Sequence, residues 1–246
     1  MPDTTIKTEI LIHDLKVPIS VIDAGAKSLL NRQASYGPLT EKQIKVLKRI
    51  IRNTLTTQRL VNDVLELGRS REGVMIISDF PISALVTSVL IEIFDLSDPG
   101  VTEVIRKIRN YDDLEQVVEK SGVKISFDPK VWKTMVHLDR AKVRQILRNL
   151  VTNAFKHRAA FVEISGSIRE NQLILKVKDD GRGIPLADHK KIFETYFSTG
   201  SSIESAIESH GLGLAGVMVL LKDMGGSLVL DSDHGKGAEF IVTIPL

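Results

Sequence analysis

The sequence predicts an α+β protein: an N-terminal helical hairpin that pairs with a second copy as a dimeric four-helix bundle, followed by an α/β sandwich. Three observations predict it. Residues 3–71 carry helical apolar spacing and no strand-like alternation. Past Gly73 short alternating runs are interleaved with helical stretches. The last of these runs close the chain, an order that puts helices on one face of a mixed sheet.

The first helical segment runs from Asp3 to about Asn31. Residues 31–40, NRQASYGPLT, gather Gly37 and Pro38 and predict a turn. Thr40 is a suitable N-cap for a second segment that continues to Arg71. Within it Ile44, Leu47, Ile51, Thr54, Gln58, Val61 and Leu65 follow a spacing of 3, 4, 3, 4, 3, 4, a coiled-coil seam with two polar positions. At 1.5 Å per residue each helix is ~45 Å long. A lone hairpin cannot enclose its apolar stripes, so a homodimer follows.

The predicted strands of the second domain are 123–127, 162–168, 173–179, 226–232 and 239–246. Helical patterns lie at Ile82–Asp95, Asp139–His157 and Leu212–Met224. Residues 95–121, with Pro99-Gly100, read as a helical insertion. The expected domains are residues 1–73 and 74–246.

Composition narrows the function classes. A net charge of +2 is too small to call for a polyanionic partner. With aromatics at 5% and Trp132 as the one tryptophan, a stacking platform for single-stranded nucleic acid is disfavoured. The absence of cysteine rules out disulfides, thiolate metal sites and a Cys nucleophile, which suits the cytoplasm. No run approaches the roughly 20 apolar residues of a membrane span. The opening MPDTTIKTEI lacks the basic-then-apolar order of a signal peptide. A sensor or membrane anchor is therefore not expected on this chain.

Three clusters carry chemistry. Asp179-Asp180-Gly181-Arg182-Gly183-Ile184 follows the strand LILKV. A strand-end carboxylate can accept a hydrogen bond from an exocyclic amine, and spaced glycines let backbone approach a flat ligand. A β-turn with an Asx cap explains the same residues. His210-Gly211-Leu212-Gly213-Leu214 opens a helical stretch, where unpaired N–H groups favour phosphate, although a tight turn has the same look. In the helix at 139–157, Ile146, Leu147, Leu150, Val151 and Ala154 form a buried stripe, while Asn149, Asn153 and Lys156 share another face. Amide oxygens suit Mg²⁺, and an ammonium suits a phosphate. A solvated polar face is the bland alternative.

Taken in order, these clusters resemble the ATP-binding domain shared by histidine kinases, DNA gyrase, the 90-kDa heat-shock chaperone and MutL. The asparagine box resembles Asn149-Leu150-Val151-Thr152-Asn153-Ala154, and the first glycine box Asp179-x-Gly181-x-Gly183. The phenylalanine box resembles Lys191-Ile192-Phe193-Glu194-Thr195-Tyr196-Phe197, and the second glycine box Gly211-Leu212-Gly213-Leu214. The resemblance implies that Asn153 ligates Mg²⁺, Asn149 assists near the phosphates and Lys156 contacts phosphate. It implies that Asp179 binds the adenine amino group, that His157 stands beside the nucleotide, and that residues 198–210 form a lid over ATP. Where gyrase and the chaperone carry a glutamate base, this chain has Asn149, which favours transfer to a protein group over hydrolysis.

His13-Asp14-Leu15-Lys16-Val17-Pro18 lies early in the first helix. At 100° per residue His13 points away from the stripe of Leu11, Leu15, Ile22 and Leu29, and Asp14 can hold one ring nitrogen as the N–H. The run resembles the histidine box of two-component sensor kinases. That resemblance implies ATP-dependent phosphorylation of His13, then transfer to an aspartate of a separate receiver domain. Many relatives have Thr or Asn four residues after the histidine to position water. Val17 stands there, so phosphatase activity is expected to be weak. The alternatives are a phosphotransfer scaffold with a dead ATP domain, and a gyrase-type ATPase on nucleic acid. The basic residues at 140–158 fit the latter, but a helix bordering triphosphate needs positive charge in any case.

Overall fold

The computed structural model describes residues 4–71, 74–194 and 213–246. It divides into two compact units, Met1–Arg69 and Ser70–Leu246.

In the first unit, α1 (Thr4–Asn31) and α3 (Glu41–Arg71) form the hairpin, with a single turn of helix, α2 (Gln33–Tyr36), inside the predicted turn. Thr40 starts α3 through a capping box. Its backbone N–H donates to Gln43 Oε1 at 2.8 Å, and Gln43 N–H donates back to Thr40 Oγ1 at 3.3 Å. The two polar seam positions are paired across the hairpin. Thr54, 8% exposed, donates to Asp23 Oδ1 at 3.3 Å, and Gln58 donates to Ser20 Oγ at 3.5 Å. These bonds set the register that an all-apolar seam leaves loose. Within one chain Leu15, Val21, Ile22 and Leu29 of α1 stay exposed, whereas Ala26 and Leu47 are buried.

The second unit opens with β1 (Ile77–Pro81) and α4 (Ile82–Ser97). Residues 99–119 hold α5 (Pro99–Ile105), capped by Asp98, and α6 (Tyr111–Glu119), capped by Asn110. Then come β2 (Val123–Phe127), α7 (Pro129–Lys133), β3 (Met135–Asp139) and α8 (Arg140–His157). The chain continues through β4 (Val162–Arg169), β5 (Gln172–Asp179), α9 (His189–Glu194), α10 (Gly213–Asp223), β6 (Ser227–Ser232) and β7 (Ala238–Pro245).

The main sheet has order β2-β4-β5-β7-β6, with β2 parallel to β4 and the other pairs antiparallel. One face is apolar: Ile164, Leu175, Val177, Phe240 and Val242 are buried there. Val143, Ile146, Leu147, Leu150, Val151 and Ala154 of α8 supply the opposing layer, joined by Val217, Leu220 and Leu221 of α10. The insertion has a structural task. The Tyr111 hydroxyl donates to the Ile125 carbonyl at 2.8 Å and accepts from Phe127 N–H at 3.1 Å, so it covers the open edge of β2.

Two strands were not expected. β1 and β3 pair antiparallel as a separate ribbon, Ile77 opposite Asp139 and Pro81 opposite Met135. Among the described residues no helix is long and apolar enough to cross a membrane.

Candidate functional site

The site grows from α8. Asp139 starts that helix, accepting the amides of Ala141 and Lys142 at 3.1 Å each. Buried apolar residues pin one side of α8 to the sheet, which turns Asn149, Asn153 and Lys156 to another side. Asn149 is 9% exposed, Asn153 is half-buried, and Lys156 and His157 are exposed. Asn149 Nδ2 donates to the Gly213 carbonyl at 3.3 Å, and its Oδ1 lies 3.4 Å from the Arg148 guanidinium. A side chain at Gly213 would stand 3.7 Å from the Asn153 amide, so the start of α10 lies against both asparagines. Leu214 follows, half-buried.

The last turn of α8 meets the end of β5. Asp179, 4% exposed, occupies the buried column of the sheet opposite Ala238. Its Oδ1 accepts Gly181 N–H at 2.9 Å, an Asx turn. Burial raises the Asp179 pKa, over the opposing pull of the Gly181 amide and the nearby His157. Partial desolvation of its ring, although the residue is exposed, lowers the His157 pKa, helped by the positive charges of Lys156 and Arg182.

The glycines are set by backbone packing. A Cβ on Gly181 would fall 2.1 Å from the His157 carbonyl oxygen, and one on Gly183, at φ +69°, 1.9 Å from that of Asp233. Both residues are glycine because the loop lies directly against other main chain. The Ile184 amide donates to Ser232 Oγ at 2.8 Å, and that hydroxyl donates to the Gly237 carbonyl at 2.7 Å.

Two contributors escaped the sequence reading. Asp180 gathers the amides of Ala159, Ala160 and Phe161 at 3.0 Å and so fixes the loop leaving α8. Desolvation is the largest single influence and pushes its pKa up, but the three amides together outweigh it and the net shift is downward. Lys142 is fully buried and ion-paired with Asp223. The doubled aspartate of DDGRG was the available signal for Asp180; none marked Lys142.

Part of the positive charge at 140–158 is paired within the second unit. Arg144 and Arg148 pair with Glu92, and Arg158 donates to the Ser121 and Gly122 carbonyls while stacking on Phe155. Arg140 and Lys156 stay exposed, so part of the positive charge of this stretch remains at the surface.

Gly211 and Leu212 lie outside the described residues, as do Thr195–Phe197 of the phenylalanine box and the lid at 198–210. His13 lies within α1 and Phe193 within α9, but their side chains are likewise outside the described residues.

Residues 138–246 match the family described as "Histidine kinase-, DNA gyrase B-, and HSP90-like ATPase". Residues 9–73 match the "His Kinase A (phospho-acceptor) domain". The chain carries the catalytic core of a two-component sensor histidine kinase. This histidine kinase core is 30% identical over 241 residues to the circadian input-output histidine kinase CikA of Synechococcus elongatus, covering 95% of this chain and 29% of CikA. It is 27% identical to the aerobic respiration control sensor protein ArcB of Escherichia coli, covering 98% of this chain and 28% of ArcB. The chain thus spans less than a third of these relatives.

Among solved structures, the kinase core superposes on ShkA with a TM-score of 0.63 at 24% identity, covering 99% of this chain and 46% of ShkA. It superposes on the Acinetobacter baumannii histidine kinase AdeS with a TM-score of 0.52 at 20% identity, covering 95% and 97%. These two likenesses establish the fold.

Proposed function

We propose that this chain binds Mg²⁺-ATP, phosphorylates its own His13 and passes the phosphoryl group to an aspartate of a receiver domain. The observation that carries this reading is the buried Asp179 carboxyl, whose lining loop is held at the end of the helix that presents Asn149 and Asn153. A desolvated acceptor beside a close-packed loop suits an exocyclic amine of a purine. A row of amides and Lys156 along the same helix then suits the phosphates.

The donor set fits Mg²⁺. Among the described residues no group of three His, Asp or Glu side chains gathers to hold a metal. Asn153, half-buried beside Asn149 and facing the start of α10, would offer an amide oxygen, and a hard ion that also takes phosphate oxygens and water would suit it. When bound, Mg²⁺ supplies positive charge against the triphosphate.

In the transfer step a ring nitrogen of His13 forms the N–P bond while the bond from the γ-phosphorus to the bridging oxygen breaks, and ADP leaves. Asp14 holds the N–H of the other ring nitrogen and offsets the positive charge that develops there. Lys156 steadies the phosphates, and Asn149 supplies no base for water. We further propose a homodimer, because the exposed Leu15, Val21, Ile22 and Leu29 would be covered by a second hairpin. We propose a cytoplasmic location for this chemistry, as the compartment that supplies ATP, whether or not the whole protein is a membrane-bound sensor. The test is His13→Gln: radiolabel from γ-³²P-ATP disappears while nucleotide binding by calorimetry persists. Label kept on the variant overturns the acceptor, and absence of ATP binding by the unaltered chain overturns the kinase reading in favour of a scaffold.

A further inference from the structure

We infer that Lys142 is a positioning residue that ties residues 74–76, near the start of the ATP-binding unit, to the two helices of the nucleotide site. The inference rests on the proposal that this site holds ATP. The Lys142 ammonium donates to the Val74 carbonyl at 2.7 Å, pairs with the Asp223 carboxylate and lies 3.3 Å from Met75 Sδ. An ammonium has three N–H donors, and here three acceptor atoms from two chain segments face them. A second tie lies beside it. Asp139 Oδ2 accepts Ile76 N–H at 2.9 Å while its Oδ1 caps the first turn of α8. Residues 74–76 are thus bound twice to the start of that helix.

From this knot α8 runs to Asn149, and α10, read backward from Asp223, runs to Gly213. Those ends meet again where Asn149 donates to the Gly213 carbonyl. The pair of helices is fastened at Lys142–Asp223 and at Asn149–Gly213, seven residues or ~10 Å apart along α8. A largely buried ion pair is a poor way to gain stability, since apolar residues of similar volume serve as well or better. What the lysine adds is geometric: displacement of residues 74–76 is carried to the place where the two asparagines meet α10. The Lys142 ammonium is buried and committed to Val74 and Asp223, so its loss should leave affinity largely intact and impair alignment, where a 1 Å error can cost about a hundredfold in rate.

The test uses the whole chain and the double variant Lys142→Met, Asp223→Leu, which keeps apolar packing between α8 and α10 but releases Val74. At saturating Mg²⁺-ATP the autophosphorylation rate is expected to fall at least tenfold, with the ATP dissociation constant within about threefold of the parent. An unchanged rate, or an affinity that falls as far as the rate, overturns the inference. Coupling is reciprocal, so in the unaltered chain Mg²⁺-ADP should slow hydrogen exchange at the amides of 74–76 at least threefold. This second measurement does not depend on the variant folding, and unchanged exchange with nucleotide bound also overturns the inference. If the parent itself takes no label, the kinase reading has failed; if the parent labels normally and the variant matches it, only the role of Lys142 has.

Discussion

Asn149 Nδ2 donates to the Gly213 carbonyl at 3.3 Å, so the asparagine helix and the start of the second glycine helix are joined by a neutral amide. Asn149→Asp removes that donor and sets a carboxylate against both the carbonyl and the proposed phosphates. ATP affinity is expected to fall at least tenfold, about 1.4 kcal/mol, in calorimetric titration. Affinity equal to that of the parent would show that the amide faces no anion.

Asp179 trades stability for binding. Its pKa is raised by burial, so the folded state holds the proton more tightly than the unfolded chain. The sign follows: the native state is favoured while the carboxyl is protonated, and stability falls as pH rises above the ordinary carboxylate value of 3.8 toward the raised one. Asp179→Asn retains an oxygen for the Gly181 amide and removes the cost of ionisation. Its melting temperature should exceed the parent's at neutral pH, with the difference closing below pH 3.8, while ATP binding is lost. A variant that melts lower at neutral pH contradicts this account.

The two-helix hairpin, the central strands and the polar row of α8 were legible because each repeats with a period that burial imposes: 3.5, 2.0 and 3.6 residues. Thr54 and Gln58 showed as breaks in the seam, but their partners Asp23 and Ser20 did not, since cross-helix register has no local signature. The β1–β3 ribbon was missed for a related reason. Its strands have five residues each, and β3 runs straight into the cap of α8, so MVHLD reads as the approach to a helix. The glycines of the first box were legible from their spacing, but one requirement on them was not: a side chain at Gly181 or Gly183 would also strike the carbonyls of His157 and Asp233, which lie far from them in sequence. Lys142 was invisible because Val74 and Asp223 lie 68 and 81 residues away.

Val17 follows the proposed phosphoacceptor by one helical turn and is 54% exposed. Its isopropyl group cannot hold a water for attack on a phosphorylated receiver. Val17→Thr adds a hydroxyl of nearly the same size at an exposed position, so the hairpin should be unaffected. Loss of phosphate from the phosphorylated regulator, followed with ADP present, should accelerate about tenfold or more, as for a positioned general-base water. Equal rates would mean that water is held by some other group.

Gln145 is 4% exposed, one turn before Asn149, and neither its Nε2 nor its Oε1 has a hydrogen-bond partner among the described residues. An amide buried without partners forfeits the hydration it had in the unfolded chain, at ~1–3 kcal/mol. Leucine is close in volume and gives up nothing on burial, so Gln145→Leu should stabilise the second unit by ~1 kcal/mol in urea unfolding at an unchanged m-value. A variant less stable than the parent would show that the amide is satisfied in solution, by an ordered water or by chain outside the described residues. A more stable variant that phosphorylates normally would mark Gln145 as dispensable. If it is more stable but slow, the unsatisfied amide serves the reaction, because the cost of keeping it in the folded protein would then be offset only in the transition state.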